Sequence, residues 1–253
     1  MRLCFLDTET LTLDPRNPQN VLMTEIAGVV IDTPSYAALA EWGYGPLLAG
    51  LESGTFDPET ELVGQEPFVT YFSHNLSILE QILAGRRIDR KTYDFRLRTN
   101  ANLENGRVVT QPNKATLESV NETMRGCAAT FVRGADFDIT LLGNHFAEHG
   151  IKEGFHHASP QCIRSWANAR LDDGVISGLV TSERIGSWLT TKKAPKSLID
   201  DAHQDFKRLE VLRKKIGHEA LNDVLIDLIM LTMIEHYRKA LAQALSSGET
   251  RKS

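Results

Sequence analysis

The chain has 253 residues, of which 42% are hydrophobic and 24% charged, and a formal charge of −5 at pH 7. This is an ordinary soluble globular composition, long enough to bury a sizeable core and best divided as one domain, 1–253, with insertions. No stretch reaches the roughly 18 apolar residues of a membrane span, which points to a protein made and used in the cytosol, without a membrane partner.

Three cysteines, Cys4, Cys127 and Cys162, are odd in number, far apart and without CxxC spacing. They indicate neither a disulfide framework nor a zinc site, and are expected as free thiols with Cys4 and Cys127 buried.

Arg2 to Asp7 is a short apolar run ending in an acid, and Glu25 to Ile31 is a β-branched run between polar residues. Both read as strands, joined by a turn-rich connection over 12–24. The stretch 57–67 is loop-like. Apolar spacing then predicts a helix over 76–83, a short one over 88–98, an exposed loop over 99–114 and a helix over 115–125 that Gly126 stops. Ala128 to Val132 reads as a buried strand, Phe137 to His149 as a helix ended by Gly150, Phe155 to Ala158 as a further strand and Ile163 to Leu171 as a helix. One or two surface helices are expected over 181–215 around a break at Pro195. A long buried helix follows over 219–245, before a polar tail. The order is that of an α/β fold.

Three short stretches carry acids at element ends. In Asp7-Thr8-Glu9, alternate side chains of a strand face one way, so two carboxylates can reach one site and suit a hard cation. Such a pair also occurs as surface charge or a helix cap. Asp138 lies about one turn into a helix that follows the strand break at Gly134, and Asp136 before it has the position of a capping acid. His218 precedes Asp223 by five residues. If both were helical they would differ by about 140° and face apart, whereas a His218 in the preceding loop can bend toward Asp223. Asp227, one turn later, is a candidate outer acid.

Asp7-Thr-Glu9, Phe137-Asp138 and His218-x-Ala-x-x-Asp223, in this order, resemble the three motifs of the DEDDh branch of the DnaQ-like 3′→5′ exonucleases, which have a ribonuclease H-like fold. The stretches Arg86 to Thr92, Gly134 to Asp138 and Cys162 to Trp166 further look like the phage exonuclease A branch and its bacterial exoribonuclease relatives. That resemblance covers 1–31 and 128–235 and leaves 35–125 and 172–215 as insertions. It implies a mixed sheet with one antiparallel strand and helices on both faces. It also implies that Asp7, Glu9, Asp138 and Asp223 hold two divalent cations, Mg²⁺ or Mn²⁺, about 4 Å apart. His218 would be the general base, and single-stranded DNA or RNA the substrate. Where the usual pattern has a second acid in the last motif, this chain has Asn222, which would not be a metal ligand.

A negative chain is unexpected for a binder of polyanions, but two divalent cations would bring −5 to about −1. Basic groups at 86–91, 192–196 and 207–215 offer phosphate contacts or are solvated faces. Two other readings are a histidine-rich metal phosphohydrolase, for which His156-His157 lacks partner motifs, and a non-catalytic nucleic-acid-binding or scaffold module. The presence of all five motif residues argues against the latter.

Overall fold

The computed structural model describes residues 1–12, 17–99, 112–156, 159–172, 180–216 and 218–247. Five strands, β1 (Arg2–Thr10), β2 (Met23–Asp32), β3 (Phe68–Asn75), β4 (Ala129–Val132) and β5 (Pro160–Cys162), form one mixed sheet in the order β3-β2-β1-β4-β5. β2 is antiparallel to both β1 and β3, β4 is parallel to β1, and β5 is parallel to β4. β2 is thus the one strand of reversed direction, and the fold is α/β.

The chain groups into two compact units. One comprises Met1–Asp32, Leu62–Cys162 and Gly217–Leu225 and holds the whole sheet; the other comprises Thr33–Glu61, Ile163–Ile216 and Ile226–Ser253 and is helical. β3 and the helix Asn113–Met124 belong to the sheet unit, so much of the segment 35–125 is part of that layer.

β1 sits at the centre of the sheet because nearly every residue in it is buried, including Leu3, Phe5 and Leu6. A two-sided apolar strand has no face to offer water and must be covered. Cys4 and Leu6 of β1, Ile26 and Val30 of β2, and Phe72 of β3 share one core with Leu117, Val120 and Met124 of the helix Asn113–Met124 and with Leu141, Leu142 and Phe146 of the helix Ala135–Glu148. Phe5 and Phe131 stack with ring centres 5.0 Å apart, across the β1–β4 pair. Cys4 and Cys127 are buried free thiols, and Cys162 is a partly exposed one.

In the helical unit, Asp205 accepts hydrogen bonds from the hydroxyls of both Tyr44 and Tyr237, and the Tyr237 ring lies 6.4 Å from that of buried Phe206. No helix among the described residues is long and apolar enough to cross a membrane.

Most elements lie where local pattern puts them. The helices Asn113–Met124 and Ala135–Glu148 are followed by Gly126 (φ +80°) and Gly150 (φ +68°), left-handed positions that favour glycine. Pro195 caps the helix Lys196–Lys215, separating it from Ser182–Thr191. Helices Ile78–Leu83, Arg90–Thr99, Ile163–Leu171 and Ala220–Ser247 are also present.

Other elements differ from expectation. A short strand forms at Pro160–Cys162, and of the strand expected at 155–158 the described residues Phe155 and His156 are in none. Phe155 fills the core, and proline, lacking an N–H, begins an edge strand where none is needed. His157 and Ala158 lie outside the described residues, as do 13–16 of the β1–β2 connection, most of the loop expected over 99–114, Gly217 and the tail from 248. β3 and the helix Tyr44–Ser53 carry no clear sequence signal. β3 is an edge strand whose burial scarcely alternates.

The start of β2 is tied to the helix Ile78–Leu83 by one buried amide. Gln81 donates from Nε2 to the Met23 carbonyl at 2.6 Å and accepts at Oε1 from the Met23 N–H at 2.9 Å. Gln81→Leu leaves both main-chain groups unpaired. It is expected to cost about 2–5 kcal/mol, read as a lower denaturant midpoint at unchanged slope. An unaltered midpoint would mean that the amide pair contributes nothing.

Candidate active site

Asp7, Glu9, Asp138, His218 and Asp223 all belong to the sheet unit. Asp7 and Glu9 stand near the end of β1, two positions apart and so on one face. β4, parallel to β1, ends beside it and leads through Arg133 and Gly134 into the helix Ala135–Glu148, whose first turn carries Asp138. The Asp138 carboxylate is fixed from two sides. The Thr8 hydroxyl donates to Oδ1 at 2.7 Å, and the Gly134 N–H donates to Oδ2 at 3.2 Å.

His218 lies just before the helix Ala220–Ser247, and Asp223 lies in its first turn. Because His218 is outside the helix, the angular offset does not separate the two. His218 Nδ1 stands 3.6 Å from Asp223 Oδ2. Glu9, His218 and Asp223 each offer a ligand atom within 4.8 Å of those of the others. Asp136 is exposed, and Asp227 is buried in the helical unit.

Asp7 is buried among the other acids. It is 7% exposed, and burial and the neighbouring charges dominate its surroundings. Burial, followed by repulsion from Asp138, Glu9 and Asp223, raises its pKa well above the ordinary carboxylate value, against a weaker pull from Arg133. Glu9 is pushed up to about 7, chiefly by burial, with Asp223 and Glu25 adding repulsion and Arg96 opposing it. Burial also works to raise Asp223. The nearby His218 imidazole and the Arg133 guanidinium outweigh burial and hold it below the usual range. In return the Asp223 carboxylate raises His218, partly offset by burial.

Two arginines that the motifs do not name complete the arrangement. Arg96 Nη1 contacts Glu9 Oε2 at 2.6 Å, and Arg133 Nη1 contacts Asp223 Oδ1 at 2.8 Å. Arg133 Nη2 also donates to the Asp223 carbonyl at 3.3 Å. Glu25, the cross-strand partner of Glu9, is a further buried acid. Arg133 adjoins the Gly134 break and is findable there; nothing near Arg96 in sequence marks it.

Arg86, in one of the basic groups noted above, is instead buried, pairing with Glu148 at 2.6 Å and donating to the Val21 carbonyl. In the 207–215 group, Arg208 pairs with Glu52 at 2.7 Å and Lys207 with Glu210 at 3.5 Å.

The donor set suits a hard divalent cation. Four carboxylates offer oxygen ligands, and at Asp7 burial and their repulsion outweigh the pull of Arg133. No protein-family model and no curated protein matches this sequence.

Protons and a cation compete for these acids. The folded chain keeps protons on Asp7 and Glu9 that the unfolded chain has lost above about pH 4.3. Their contribution to stability is therefore full below that pH and is lost as pH rises through the folded value, about 7 for Glu9. In EDTA the protein is expected to melt lower at pH 8 than at pH 5.5, and Asp7→Asn should melt higher than the parent at pH 8. Millimolar Mn²⁺ should raise the melting temperature more at pH 8 than at pH 5.5, since binding must displace fewer protons. Melting curves indifferent to metal at both pH values would dismiss a cation site.

Proposed function

We propose that the protein is a metal-dependent 3′→5′ exonuclease of the DEDDh type with a ribonuclease H-like fold, which removes 5′-mononucleotides from single-stranded DNA or RNA. The observation that carries this reading is the convergence of four carboxylates, from one central strand and two helix starts, around a buried Asp7, with His218 at their edge. The single antiparallel strand of the sheet adds support.

Asp7, Glu9, Asp138 and Asp223 are the residues that would hold two Mg²⁺ or Mn²⁺ ions. Bound divalent cations supply charge stabilisation to a phosphodiester and lower the pKa of water. His218, 41% exposed at its side chain, has the reach and the solvent access to take a proton from an attacking water. Asp223, at its Nδ1, orients the imidazole. Phe95 lies against the His218 ring, with centroids 5.6 Å apart, and is 45% exposed, which gives a terminal base an apolar face. With the basic groups at 86–91 and 207–215 partly taken by acids, a site gripping a few terminal nucleotides fits better than a long duplex track.

Oligomers labelled at the 5′ or the 3′ end, incubated with Mn²⁺ or Mg²⁺, should yield a ladder shortening from the 3′ end and mononucleotides with a 5′-phosphate, and a 3′-phosphate should slow the reaction. Cleavage of a closed circular strand, or shortening from the 5′ end, would refute the reading. Asp7→Asn, Asp138→Asn and Asp223→Asn are each expected to lower turnover about 10³-fold or more with the fold intact. His218→Ala should lower the rate by about 10²–10⁴-fold while keeping the metal-induced rise in melting temperature. Loss of that rise in His218→Ala would make His218 a ligand instead, a role its place beside Glu9 and Asp223 permits.

A further inference from the structure

His218 sits outside regular structure, yet a general base must be held to within a fraction of an ångström. Two adjacent residues of the helix Arg90–Thr99 reach it. Phe95 packs on its ring, and Arg96 Nη1 donates to its main-chain carbonyl at 2.9 Å. The same Nη1 makes the 2.6 Å ion pair with Glu9 Oε2. One nitrogen therefore joins the end of β1 to the turn that carries the imidazole.

The helix that bears Arg96 is itself fastened to the same edge of the sheet. The Asp89 N–H donates to the Leu11 carbonyl at 2.9 Å, and the Arg87 N–H to the Asn20 carbonyl at 3.3 Å. The Asp89 carboxylate then caps the helix start, accepting from the Thr92 N–H at 2.8 Å. Arg96 extends from this anchored base, with its side chain 3% exposed. Its Nε and Nη2 are buried without a hydrogen-bond partner among the described residues. A guanidinium kept in such a place, at the cost of unmet donors, is a poor choice for packing alone.

We propose that Arg96 is the positioning residue of His218, tethering the His218 main chain to Glu9 and so fixing the imidazole beside the carboxylates. This rests on the exonuclease reading for its effect on rate, but not for its effect on the turn. Arg96 touches no reacting atom. Its loss should leave substrate binding alone and release the segment 218–223.

Two variants are compared in the full chain. Arg96→Lys keeps a cation near Glu9 but loses the fixed guanidinium fork, and Arg96→Met removes both. Each should lower kcat by about 10²-fold with KM changed less than about threefold. Hydrogen–deuterium exchange of 218–223 in EDTA should quicken about tenfold or more, while the helix Ala135–Glu148 stays protected. If Arg96→Met does not fold, Arg96→Lys carries the test.

Unchanged exchange at 218–223 in a folded variant, or kcat within threefold of the parent, would overturn the proposal, as would a rise in KM that accounts for the whole loss. A parent protein with no nuclease activity would instead count against the exonuclease reading, and exchange alone would then judge the tether.

Discussion

Like charge buried at the end of a central strand is the constraint around which the sheet unit is arranged. Asp7 lies out of water with Asp138, Glu9 and Asp223 close enough to repel it, and in a medium of low dielectric such repulsion is weakly screened. The protein compensates the outer members of the group. Arg96 meets Glu9, Arg133 meets Asp223, and the Thr8 hydroxyl and Gly134 amide hold Asp138. At Asp7 the pull of Arg133 is weaker than burial and repulsion. A centre built in this way takes up a proton or a cation, and the balance between them shifts with pH.

The fold explains how so many acids can share one place. β1 and β4 are parallel neighbours, so their carboxyl ends point the same way, and the helix leaving β4 starts at that same edge. Carboxyl ends of parallel strands are where ligands are met in open α/β sheets, because loops and helix starts gather there. Burial of β1 on both faces fixes its direction and register, and hence the side to which Asp7 and Glu9 turn. The acids are thereby set by elements whose displacement would break the core.

Charge elsewhere is spent within the protein. Arg86 is locked between Glu148 and the Val21 carbonyl. In the helical unit the cations of 207–215 meet Glu52, Asp205 and Glu210. A net charge of −5 is compatible with a bound polyanion only where a cation can offset the acids of the site.

Strand and helix periodicity, the stops at Gly126 and Gly150 and the helix break at Pro195 are written in near neighbours along the chain. For that reason β1, β2, β4 and most helices are readable from sequence, as are the acids at their ends. β3 and β5 are not: one is an edge strand without alternation, and the other has three residues begun by a proline. The sequence alone also leaves His218 and Asp223 facing apart or together, depending on where a helix starts. Tertiary structure decides this by beginning the helix at Ala220. The pairings of Arg96 and Arg133 belong to the tertiary level, although the place of Arg133 beside Gly134 is marked in sequence. Each compensates an acid far from it along the chain, and attraction between charges acts through space, leaving no periodic trace in the order of residues.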